Sequence, residues 1–206
     1  MSPTKTRTLG AFMQISLDGY YCDLRGDMGF AHKPSGDAEW NEFVSSNASG
    51  GGMLLFGRTT YEMMAAWWPT SMAAQAMPVV AARMNAMPKI VFSRTLNSAD
   101  WSNTTLVNED LVGTVRRMKG ETGPDLTILG SGSIVTQLAD AGLLDSLQLV
   151  VVPIALGSGK SLFSGLTRQL DLTLTGSRVF GNGSVVLWYA PRSGPHAGRR
   201  PAAGQR

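Results

Sequence analysis

One cysteine, Cys22, stands among 206 residues, which excludes an internal disulfide and any cysteine-cluster metal centre. Only two histidines are present, His32 and His196, which leaves no histidine-based zinc site and no Ser-His-Asp triad. No apolar run approaches the roughly 18 residues that a membrane-spanning helix needs. The opening MSPTKTRTLG lacks the apolar stretch of a signal peptide. A cytoplasmic protein without a membrane partner is expected. Acidic residues are missing from RSGPHAGRRPAAGQR, which carries Arg192, Arg199, Arg200 and Arg206. Setting those four aside leaves 14 basic residues against 15 acidic ones, so the formal charge of +3 belongs to the tail and not to the body. The body therefore offers no electrostatic case for nucleic-acid binding.

What is there suits one folded domain. The chain is 43% hydrophobic and 16% charged, enough to bury a single sizeable core. Residues 1–8 are expected as an N-terminal extension and 9–191 as the domain. Residues 192–206, rich in Pro, Gly and Ala, are expected as a disordered basic tail.

Strand-like and helix-like runs alternate through the first two thirds. LGAFMQIS (9–16), MLLFG (53–57), KIVFS (89–93), TTLVN (104–108) and DLTILG (125–130) read as strands. DAEWNEFVSS (37–46), TTYEMMAAWW (59–68), EDLVGTVRRMKG (109–120) and SGSIVTQLADAG (131–142) read as helices. The last part, SLQLVVVPI (146–154), LDLTLTGSRVF (170–180) and SVVLWYA (184–190), is strand without intervening helix, with GNG (181–183) as a hairpin turn. The expectation is an α/β fold: a mixed, mostly parallel central sheet, antiparallel C-terminal strands and flanking helices.

Three glycine-rich stretches invite a phosphate reading. GSGKS (157–161) looks like part of a P-loop, but the first glycine that motif requires falls on Ile154, and no long helix follows. It reads as a connection between strands. ILGSGSIV places Gly130, Ser131, Gly132 and Ser133 between a strand and a helix, with Val135 where a dinucleotide fingerprint needs its third glycine. A standard Rossmann domain is thereby disfavoured, yet free amides at a helix start still suit an anion. FGRTTYEMM sets Gly57, Arg58, Thr59 and Thr60 at a strand-to-helix junction, and Ser93-Arg94 ends another strand. An arginine fork beside helix-start amides suits phosphate oxygens.

In order and spacing, QISLDGYY, LLFGRTTYE, IVFSRTL, the long run from ILGSGS to GKSLF, and the closing hairpin resemble the dihydrofolate reductase-like superfamily. More closely, the chain is similar to stand-alone relatives of the reductase domain of riboflavin biosynthesis, over roughly residues 8–190. That resemblance implies a dihydrofolate reductase-like three-layer fold, NADPH as cofactor, a homodimer, and a small heterocyclic substrate of the pteridine or pyrimidine type. Carried over residue by residue, it implies that Gly57, Arg58, Thr59, Thr60, Ser93 and Arg94 hold the adenosine phosphates. Gly130, Ser131, Gly132 and Ser133 would lie against the pyrophosphate and nicotinamide, with Leu17, Asp18 and Gly19 bordering the nicotinamide pocket.

Asp37, three residues before Trp40, matches the carboxylate with which dihydrofolate reductases hold the pterin, and equally matches a plain helix cap. Met13 and Gln14 depart from the riboflavin-pathway pattern, which carries a lysine in that segment. The methionine-rich run from Glu62 to Pro88 suits either a heterocycle wall or core plus a mobile connection. Adjacent Trp67 and Trp68 cannot both point inward. Two function classes remain open: an NADPH-dependent reductase, and an NADP(H)-binding protein without turnover. A scaffold with a vestigial site is a third.

Overall fold

The computed structural model describes residues 6–31, 36–49 and 51–192. Both histidines, residues 32–35 of the loop before the first helix, and the tail beyond Arg192 lie outside the described residues.

The strands are β1 (Leu9–Ser16), β2 (Tyr20–Cys22), β3 (Met53–Gly57), β4 (Lys89–Phe92) and β5 (Thr104–Val107). They continue as β6 (Leu126–Leu129), β7 (Ser146–Val152), β8 (Lys160–Ser161), β9 (Leu172–Val179) and β10 (Val185–Pro191). The helices are α1 (Ala38–Ser49), α2 (Arg58–Trp67) and α3 (Ser71–Ala76), then α4 (Pro78–Ala86), α5 (Leu111–Gly120) and α6 (Gly132–Asp140).

Alternation in β1 explains its place at the centre. Leu9, Ala11, Met13 and Ile15 are all buried on one face of the sheet. Parallel partners flank β1 on both sides, with Ala11 opposite Ile128 of β6 and Leu147 of β7. The eight-stranded order is β5-β4-β3-β6-β1-β7-β10-β9. The first six strands run parallel, and the β9–β10 hairpin closes one edge antiparallel, as the helix-free C-terminal pattern predicts.

Helices cover both faces. Ile134, Val135 and Leu138 of α6 pack with Val115 and Met118 of α5 on the β1 side chains. On the opposite face Tyr61 of α2 and Val80 and Met84 of α4 cover Leu54, Phe56 and Val91, while Phe43 of α1 covers Val150 and Val186. This is the three-layer α/β order expected.

Two stretches differ from the sequence reading. The methionine-rich run forms α3 and α4 and serves the core, with Met64, Met77, Met84 and Met87 all in one apolar cluster. Thr70 caps α3 and Pro78 opens α4, so prolines at helix starts, not mobility, explain the broken periodicity. Of the tryptophan pair, Trp68 packs inward with its indole N–H on the Met64 sulfur at 3.0 Å, and Trp67 stays 40% exposed. The GSGKS stretch also acquires structure: β8 pairs antiparallel with β2 in a small second sheet.

Candidate functional site

Because six strands run parallel, their carboxyl ends share one rim of the sheet. Turns leaving that rim after β3, β4 and β6 open onto a single cleft of about 590 Å³. Gly57, Arg58, Thr59 and Thr60 line it from one turn, Ser93 and Arg94 from the next, and Ser131, Gly132 and Ser133 from the third. The three phosphate-competent stretches of the sequence therefore meet.

Helix starts give this cleft its electrostatics. Some helix starts are capped by side chains: Asp110 accepts from Val112 and Gly113 at the start of α5, which also lines the cleft, and Thr70 accepts from Ala73 at α3. Of the three helices that start at the cleft, α2 and α6 have no side-chain cap. Their first-turn amides and positive dipole ends face the opening and favour an anion there. One amide is spoken for. Gly57 N–H donates to the Ser131 hydroxyl at 2.8 Å, which clips the β3–α2 turn to the β6–α6 turn.

Cations complete that end. Arg58 is held by Glu62 at 2.8 Å and by the Thr95 hydroxyl at 2.8 Å, which fixes the direction of its fork. Arg94 is exposed and makes no ion pair among the described residues. The Ser93 oxygen accepts from the Thr95 and Leu96 amides, which leaves its hydroxyl proton to donate. Glu109 and Asp110 line the cleft as well, from the start of α5, with the Asp110 carboxylate engaged by the Val112 and Gly113 amides. The cationic, amide-rich turns after β3, β4 and β6 fit the phosphates of a dinucleotide.

The other end of the cleft comes from residues that sequence reasoning did not assign. Tyr21, Cys22 and Lys160 line it from β2 and β8. The Tyr21 ring rests on Gly132 so closely that an added Cβ would lie 2.5 Å from the ring. Burial pushes the Tyr21 phenol and the Cys22 thiol above their ordinary pKa values. The doubled tyrosine of DGYYC and the lysine of GSGKS were the available signals. Tyr21 meets Gly132 and Lys160 pairs with Cys22, joining segments more than a hundred residues apart, which no local pattern encodes.

Five predicted site residues lie off the cleft lining: Leu17, Asp18, Gly19, Gly130 and Asp37. Leu17 is 71% exposed. Asp18 ties two loops, accepting from the Ser16 hydroxyl at 2.6 Å and from the Leu156 and Gly157 amides at 3.1 and 2.7 Å. The Ser16 hydroxyl, and then those amides, hold its carboxyl below the usual range. Gly19 takes the positive φ of +87° that turns the chain from β1 into β2. Gly130, at φ +64°, backs the cleft against the Thr60 methyl. Asp37 caps α1 through the Trp40 amide at 3.1 Å and accepts from Asn182 in the β9–β10 turn at 2.9 Å. Those amides, Trp40 first, hold its pKa below the ordinary value. Among the described residues no cluster of acids, histidines or cysteines is arranged to hold a metal, and Gln14 Oε1 is the buried side-chain oxygen without a partner.

Known proteins share this architecture. The YyaP protein of Bacillus subtilis (strain 168) is 25% identical over 194 residues, covering 90% of this chain and 95% of its own. A candidate riboflavin biosynthesis protein from Shewanella sp. PV-4 superposes with a TM-score of 0.70 at 23% identity, over 90% of this chain and 99% of that one. Dihydrofolate reductase from Enterococcus faecalis, solved with NADP(H), superposes with a TM-score of 0.56 at 14% identity, over 90% of this chain and 96% of that one. The match that decides the assignment spans residues 7–186, and by it the chain belongs to the RibD C-terminal domain family.

Proposed function

We propose that the protein is an NADPH-dependent reductase of a small pteridine- or pyrimidine-like heterocycle, acting as a cytoplasmic homodimer. The observation that carries this reading is the convergence on one cleft of two helix starts without a side-chain cap and of Arg94, which has no ion pair among the described residues. Family membership and the dihydrofolate reductase-like fold support a reductase-like role.

In this reading Arg94, Ser93 and Arg58 grip the phosphate on the adenosine ribose, and the first-turn amides of α2 and α6 receive the pyrophosphate. NADPH, when bound, supplies the hydride. The chain contributes position and field: it fixes the dinucleotide along the sheet rim, and the apolar side chains of Met63, Phe92 and Ile134 in the cleft wall limit water.

The test is a titration with NADPH and NADH. Arg94 and Ser93 predict at least tenfold tighter binding of NADPH, and Arg94→Met should bring the two affinities together. Equal affinity of the wild type for both forms overturns the assignment. Turnover is then assayed across pterins, flavins and aminouracils.

One observation favours a binding protein without turnover. Asp37, the carboxyl group nearest in role to a substrate acid, is held ionised by backbone amides. Tight NADPH binding with no oxidation by any compound of the panel would select that second reading.

A further inference from the structure

The GSGKS stretch takes no part in the function above, yet it is firmly placed. Asp18 receives the Leu156 and Gly157 amides, which anchors the start of the segment to the β1–β2 turn. Leu162, just beyond it, is buried, and its carbonyl accepts from the Thr136 hydroxyl of α6 at 2.7 Å. Between these anchors Gly159 runs so close to β2 that a Cβ would collide with the Cys22 carbonyl oxygen. Only glycine permits that approach, and it brings Lys160 opposite Cys22 in the β2–β8 ladder. Lys160 then lines the cleft, and its ammonium group has no hydrogen bond or ion pair among the described residues.

Position makes this lysine distinct from the arginines. Arg94 follows β4, whereas β2 follows β1, and β4, β3, β6 and β1 are successive strands. Lys160 reaches the cleft from the separate β2–β8 sheet, and Arg94 from the turn after β4 in the main sheet. The cleft thus receives cations from two different sheets.

We propose that Lys160 is a further anion-binding residue of the cleft, holding a phosphate or carboxylate group of the bound ligand from the β2–β8 side. The anchored β8 strand is its mount. This deepens the reductase reading and depends on it only for the identity of the ligand. The anionic group has two possible owners, the dinucleotide's pyrophosphate or an acid group on the substrate, and the chemistry seen by Lys160 is the same.

Inorganic phosphate is the probe, titrated calorimetrically into the full chain with and without saturating NADPH. Lys160→Met should weaken phosphate uptake at one site about tenfold, Lys160→Arg should restore it, and Arg94→Met should leave that site intact. Loss of the Lys160-dependent site on NADPH loading assigns the anion to the dinucleotide; its persistence assigns the anion to the substrate. A wild type with no such site, or a Lys160→Met titration that coincides with wild type, overturns the proposal. A protein that binds phosphate through Lys160 but does not bind NADPH sinks the reductase reading and leaves this one standing.

Discussion

Ser131 accepts the Gly57 amide proton at 2.8 Å while sitting in a left-handed backbone conformation, φ 63° and ψ 64°. Its hydroxyl is the clip between the β3–α2 and β6–α6 turns of the cleft, and its backbone carries the cost of a side chain in the left-handed region, about 1–2 kcal/mol. The two contributions separate by substitution. Ser131→Ala keeps the strain and loses the clip, so it should destabilise by about 1–2 kcal/mol. Ser131→Gly loses the clip but relieves the strain, and should be more stable than Ser131→Ala by about 1 kcal/mol. Urea unfolding of the two variants checks the order; the reverse order would mean that the left-handed backbone carries no strain.

The contact between Tyr21 and Gly132 makes a second pair testable. A methyl group at position 132 would lie 2.5 Å from the Tyr21 ring, closer than atoms pack. Gly132→Ala should therefore cost about 1–3 kcal/mol, despite alanine's better helix propensity. Tyr21→Ala should remove most of that cost. Thermal unfolding of both single variants and the double variant measures the coupling, and additive effects would show that the ring moves aside freely.

Asp37 should behave as a structural cap. Asp37→Ala removes the acceptor for Trp40 of α1 and Asn182 of the hairpin together, and should lower the melting temperature at pH 7. The sign with pH follows from its depressed pKa. The ionised group stabilises the fold at and above its ordinary value of 3.8, and that stabilisation disappears as pH falls through the lower folded value. Melts at pH 7 and in strong acid should show the gap between wild type and Asp37→Ala closing. A variant with lost reductase activity and an unchanged melting temperature would return Asp37 to the substrate.

Legibility varied with the range of the contacts involved. β1, α5 and α6 announce themselves because their buried positions repeat at strand or helix spacing within a single window, and α5 even carries its cap, Asp110, in view. The rim cluster was readable because each turn has its own local signature of glycine, hydroxyl and arginine, and parallel strands bring such turns to one side by construction. β2 and β8 were not: three and two residues are too few for a period, and their pairing depends on Gly159 passing the Cys22 carbonyl. α3 and α4 hid behind Pro69, Pro78 and Pro88, which interrupt the pattern at helix boundaries as readily as in loops. Tyr21 and Lys160 entered the cleft through those same unreadable elements.

Lys89 supplies the last prediction, from the core and not the cleft. Only 1% exposed, it extends from β4 beneath the end of α4, donating to the Met84, Asn85 and Met87 carbonyls at 2.8, 3.3 and 2.6 Å, with the Trp101 ring 4.4 Å from its ammonium. Carbonyls and ring face hold the charge, while burial works against it and lowers the pKa from 10.5 to about 8. Between those two values the unfolded chain binds the proton and the folded chain releases it. Unfolding then takes up a proton, so rising pH favours the fold across that window. Denaturant unfolding of wild type and Lys89→Met from pH 7 to 10.5 should show wild type gaining on the variant above pH 8. A constant difference would mean that the three carbonyls keep Lys89 charged throughout, with burial outweighed.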